Sequence, residues 1–138
     1  MTSEQVIAFD TCLLVRFIAD DDKAQADLAE ELMRTHTVFV PDSVLLETEW
    51  VLRSRYKKSS DKLAAFFKLL LDTENVILEN TERLKKAIEW YQLGSYFADA
   101  MHLAACDGAI LHTFDRAFCK VARKAGLAPE INIVEIKK

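Results

Sequence analysis

The sequence predicts an α/β fold with a central parallel sheet of about five strands and helices on both faces. Short β-branched runs alternate along the chain with longer stretches of helical period. Those runs are too short and too continuously apolar to be half-exposed strands. Three glycines and two prolines in 138 residues leave few breaks and no linker. Residues 1–138 therefore read as a single domain, long enough to bury a core without disulfide or structural metal.

The elements follow in order. Val6 to Phe9 reads as a strand, entering directly a helix from Thr11 to Ala19. Asp21 to Arg34 carries apolar residues at Ala24, Leu28, Leu32 and Met33, a helical period, with Asp21 or Asp22 as its cap. "TVFVPD" is a strand ended by Pro41, and Asp42 or Ser43 caps a helix through Tyr56. Ser59 or Ser60 opens a helix over "SSDKLAAFFKLLLD", and "NVILE" is a short strand. "NTERLKKAIEWYQL" is a helix closed at Gly94, and "SYFADAMHLAACDG" one closed at Gly108. "AILHTF" is a strand, "DRAFCKVARKAG" a helix and "INIVEI" the last strand.

A net charge of −4 argues against a domain that holds nucleic acid by bulk electrostatics, so any such contact must be local. Cys12, Cys106 and Cys119 are odd in number, far apart and set in apolar surroundings, which reads as buried, reduced thiols. No secretory leader and no apolar run of the ~18 residues a membrane helix needs is visible, so a cytoplasmic location is expected.

Ligands of parallel α/β sheets sit beyond the carboxyl ends of the strands. Asp10 follows the first strand directly, and Asp115 follows "AILHTF" in the same manner, each leading into a helix. Taken singly, each is as well explained as a helix N-cap. Glu47 falls three residues after Val44 and three before Trp50, on or beside the apolar face of its helix. Glu49, about 160° away, reads as a solvated surface acid. A buried pair with Arg53 or Arg16 is the structural alternative for Glu47. Asp99 lies near the start of a helix of small and apolar residues, where the helix dipole also favours a carboxylate, and His102 is within reach as a partner. Four such acids on one sheet edge would repel unless a divalent cation lay among them. Oxygen ligands alone suit Mg²⁺ or Mn²⁺, the ions of nucleases and phosphatases.

"VIAFDTCLLVRFI", "VPDSVLLETEWVL", "YFADAMHLAAC" and "LHTFDRAFCKVA" resemble the four acidic segments of PIN-domain proteins, in order and approximate spacing, and specifically those of VapC-type toxins of toxin–antitoxin pairs. The resemblance spans essentially the whole chain. It implies a three-layer α/β/α fold and a metal-dependent endoribonuclease. Asp10, Glu47, Asp99 and Asp115 match the acids that hold Mg²⁺ or Mn²⁺ and activate water, and Thr113 matches a hydroxyl near the site. It also implies a homodimer, an RNA substrate and a VapB-like antitoxin that inserts a C-terminal segment into the acidic groove. Cys12 stands where the first motif usually has Asn, removing a hydrogen bond, and Tyr96 where the third often has an acid, removing a charge.

Cleaving RNA also requires donors for its phosphates. Arg16, Arg53, Arg55, Lys57, Lys58 and Arg116 are the candidates, with "RSRYKK" equally explained as a helix end whose cations favour the dipole. Lys120, Arg123 and Lys124 read as a solvent face. Trp50, Trp90, Tyr91, Phe66 and Phe67 read as core or dimer interface. Two other functions share these residues: a non-catalytic module pairing with a DNA-binding antitoxin, and a phosphatase or deoxyribonuclease on the same acidic edge.

Overall fold

The computed structural model describes residues 3–117, 120 and 131–135. They fall into two compact units, one ending at Thr81 and the other beginning at Glu82. Each is built as an α/β arrangement with parallel strands.

The first unit runs β1 (Ser3–Ala8), α1 (Thr11–Val15), α2 (Lys23–Thr35), β2 (His36–Val40), α3 (Asp42–Ser54), α4 (Ser60–Asp72) and β3 (Val76–Leu78). Its sheet has the order β1-β2-β3, parallel throughout, with Ile7 opposite Val38 and Phe39 opposite Ile77. Helices α1 and α2 carry the chain from β1 to β2, and α3 and α4 carry it from β2 to β3. Central β2 places Val38 and Val40 wholly out of solvent, while Val6 and Ile77 on the flanking strands are exposed. Phe9, Phe17, Phe66 and Phe67 form a row of ring contacts at 5.9–6.4 Å that fills the interior beside Leu14, Leu45, Leu52 and Leu63. The amide of Asn75 donates to the carbonyls of Met33 and His36, tying the start of β3 to the α2–β2 junction.

The second unit runs α5 (Thr81–Gln92, from its second residue), α6 (Phe97–Ala104), β4 (Leu111–Thr113) and β5 (Ile131–Ile133). Strands β4 and β5 pair in parallel with His112 opposite Asn132. Trp90, Phe97, Leu84, Ile88 and Leu103 are its buried centre, and the Tyr91 and Phe97 rings meet edge to face at 5.2 Å. Gly94, at φ +110°, ends α5 as expected: its N–H reaches the Tyr91 carbonyl and the Ser95 N–H reaches that of Trp90.

Several expectations are corrected. Among the described residues five strands are present, but hydrogen bonding divides them into a sheet of three and a pair, not one sheet of about five. With three residues each, β3, β4 and β5 carry only short ladders, and strand pattern alone does not reveal partners. The helix expected from Thr11 to Ala19 stops at Val15. Asp22 and Ser59 cap α2 and α4 as predicted, whereas α3 has Pro41, not Asp42 or Ser43, at its N-cap and no side-chain cap hydrogen bond. There the Glu79 carboxylate, 37 residues away, accepts from the Asp42 N–H at 3.1 Å. Of the residues expected in the core or a dimer interface, Trp50 is 51% exposed and so outside the core, while Trp90 is 1% exposed and Tyr91, Phe66 and Phe67 are buried. Cys12 is exposed and Cys106 half-buried, so neither is the enclosed thiol its apolar neighbours suggested. The helix expected from Asp115 lies largely outside the described residues, as do Cys119, Arg123 and Lys124; Lys120 is exposed. Among the described residues no helix is long and apolar enough to cross a membrane.

Candidate functional site

Asp10 is placed by the end of β1. The Phe9 N–H still pairs with the Phe39 carbonyl at 3.0 Å, and the chain then turns into α1. Asp10 caps that turn: its Oδ1 accepts from the Thr11 N–H at 2.7 Å, and its carbonyl accepts from Leu13 and Leu14. The cap leaves the residue exposed and, among the described residues, its second carboxylate oxygen uncommitted.

Glu47 is placed by α3, the helix that follows the adjacent strand β2 and packs on α1. The buried stripe of α3 is Leu45, Thr48, Glu49 and Leu52, one residue out of phase with the expectation that put Glu47 inside. Glu49, expected on the surface, is 3% exposed and accepts from Arg53 Nε at 2.8 Å; Glu47 is the exposed acid. The ion pair one turn along makes Glu49 buriable, since a charge taken from water needs a charged partner.

Asp10 and Glu47 line the same cavity, about 250 Å³ in volume, at the carboxyl ends of the neighbouring parallel strands β1 and β2. Cys12, Arg16, Arg55 and Tyr56 share its wall. Arg16 is braced: its guanidinium pairs with Asp21 and donates to the Tyr56 hydroxyl at 3.3 Å, and that hydroxyl donates to Asp21 at 2.6 Å. The Tyr56 hydrogen bond, then the Asp21 charge, raises the Arg16 pKa further, and the same hydroxyl followed by Arg16 holds Asp21 below the ordinary carboxylate value.

In the second unit, Asp99 is the third residue of α6 and half-buried. Burial first, and the Asp115 charge second, push its carboxyl above the ordinary value, with His102 opposing. Asp115 follows β4, and its N–H donates to Thr113 Oγ1 at 3.0 Å, so Thr113 fixes the backbone that carries the acid. Arg116, expected at the substrate, pairs with Glu135 at 2.9 Å on an exposed surface.

The sequence-predicted acids are thus found as two pairs, Asp10 with Glu47 and Asp99 with Asp115. Among the described residues no three His, Cys, Asp or Glu side chains are grouped to hold a metal ion. The donor set of each pair is oxygen alone, which fits a hard divalent cation rather than a soft one. The role of Tyr56 and Asp21 in bracing the cavity was not foreseen. For Arg55 the signal was present, because Glu47, Val51 and Arg55 recur every four residues and share one helix face.

Asp10 after β1 and Asp115 after β4 each lie just beyond a parallel strand, where α/β folds of this kind bind their ligands. The PIN domain family model matches residues 7–124, and the chain belongs to that family. PIN domains are generally metal-dependent nucleases. No relative was found among curated proteins.

Proposed function

We propose that this PIN domain is a divalent-metal-dependent endoribonuclease, the toxin of a toxin–antitoxin pair, working in the cytoplasm as a homodimer. The observation that carries this reading is the exposed Asp10 and Glu47 on one cavity wall within the family match. Asp10, Glu47, Asp99 and Asp115 are assigned as the oxygen ligands of Mg²⁺ or Mn²⁺. When bound, the ion neutralises the carboxylates, activates water and stabilises charge in displacement at phosphorus.

The chain's own residues contribute the rest. Asp10 accepts from the Thr11 N–H through one oxygen, which helps orient a carboxylate that would hold the ion. Thr113 orients Asp115 through its N–H, and the pressure of Asp115 on Asp99 is relieved when positive charge arrives. A VapB-like antitoxin silences such a site by laying a segment of chain over the acids.

The purified protein is expected to cleave RNA with Mg²⁺ or Mn²⁺, to stop in EDTA, and to lose cleavage in Asp10→Ala and Asp99→Ala while circular dichroism stays unchanged. Equal cleavage by those variants would overturn the assignment. Preference for DNA over RNA would move the substrate class.

A further inference from the structure

An acidic cavity that receives a polyanion needs a cation not already held in an ion pair. Two arginines line the cavity of Asp10 and Glu47, and they differ in how they are occupied. Arg16 is committed to Asp21 and Tyr56, and its side chain is only 13% exposed. Arg55 is exposed and makes no side-chain hydrogen bond or ion pair among the described residues. Its near neighbour Arg53, two residues earlier and so on another face of α3, is engaged with the buried Glu49.

The backbone that presents Arg55 is fixed on both sides. Its N–H closes the last turn of α3 on the Val51 carbonyl at 2.9 Å. Tyr56 is pinned through its hydroxyl to Arg16 and Asp21. Lys57 then takes a left-handed conformation, φ +55°, which lets the Lys58 N–H return to the Leu52 carbonyl at 3.0 Å. Arg55 is thus a cation on a fixed stem beside two carboxylates, with a planar donor group suited to a phosphate oxygen.

We infer that Arg55 binds a backbone phosphate of RNA next to the acids of the cavity, and so sets where the chain of nucleotides lies across them. This rests on the nuclease reading above. It resolves "RSRYKK" into separate tasks: Arg53 holds Glu49, Arg55 meets the substrate, and Tyr56 braces the cavity wall.

The test uses the full chain and a fluorescent 2′-O-methyl oligoribonucleotide, which resists cleavage, with anisotropy read at several salt concentrations. Arg55→Ala is expected to weaken binding about tenfold and to flatten the plot of log affinity against log salt by roughly 0.7. Arg55→Lys should restore the slope more fully than the affinity, since it keeps charge but not the planar fork. Lys68→Ala, on the exposed side of α4, should change neither. Unchanged affinity and slope in Arg55→Ala overturns the inference, as does an intact protein that does not bind the oligomer. A lower melting temperature with unchanged binding makes Arg55 a helix-end cation instead. If the intact protein binds, Arg55→Ala weakens it, and unmodified RNA is still not cut in Mn²⁺, the phosphate contact stands and the nuclease reading falls.

Discussion

Glu47 and Glu49 stand two residues apart on α3 and are set to opposite tasks by their surroundings. Glu49 is enclosed with Arg53, whose side chain is 45% exposed, and removing the arginine takes an ion-pair partner from a buried carboxylate. Arg53→Ala is therefore expected to lower stability by about 1–3 kcal/mol in urea unfolding, less than for a fully buried pair because water reaches the arginine. Glu47→Gln is expected to leave stability within about 0.5 kcal/mol and to abolish cleavage. The sequence pattern reversed the two because α3 has apolar residues at 44–46 and again at 50–52, nearly all round the helix, so its phase was ambiguous. Only the ion pair at i+4 reveals which acid is inside. The partial burial of Asp99 was legible, since a carboxylate in an apolar helix stands out. Its folded-state pKa lies above the ordinary 3.8, so the fold holds that proton more tightly than the unfolded chain does. This contribution is complete below pH 3.8 and vanishes as pH rises through the folded value, leaving a cost at neutrality. Asp99→Asn should accordingly raise the metal-free melting temperature at pH 7, with the gain fading toward pH 3.8. A loss above about 2 kcal/mol would instead make Asp99 a structural residue.

At the scale of elements, local chemistry was readable and distant chemistry was not. Asp22 and Ser59 accept from N–H groups three residues on, an interaction written within a few letters of sequence. The start of α3 is satisfied by Glu79, which no local pattern could supply. Glu79→Ala is expected to cost about 0.5–1 kcal/mol in the same urea titration, through loss of the hydrogen bond from the Asp42 N–H, with RNA cleavage retained. Helix α1 is short because Asp10 caps it at one end and the chain turns after Val15 at the other. That shortness carries Arg16 to Asp21 and Tyr56 and so completes the cavity wall.

For the whole molecule, the alternation of strand and helix was enough to predict the class of fold, and strand partners were not, because three-residue strands carry too little pattern to specify register. The net charge of −4 and the Asp99–Asp115 pair set like charges against one another in the metal-free chain, so divalent cation should stabilise it. At about a hundred times its dissociation constant, Mn²⁺ is expected to add ~2.7 kcal/mol, reversed by EDTA and reduced in Asp99→Asn. A melting temperature that ignores millimolar Mn²⁺ would contradict the ligand assignment.

The two tryptophans supply an optical consequence. Trp50, in the first unit, is 51% exposed and should emit at long wavelength, while Trp90, in the second, is 1% exposed and should emit to the blue. Trp50→Phe and Trp90→Phe each leave one lamp burning in one unit. Superimposable fluorescence melts of these variants would show that the chain unfolds as one cooperative body, and separated melts would show two.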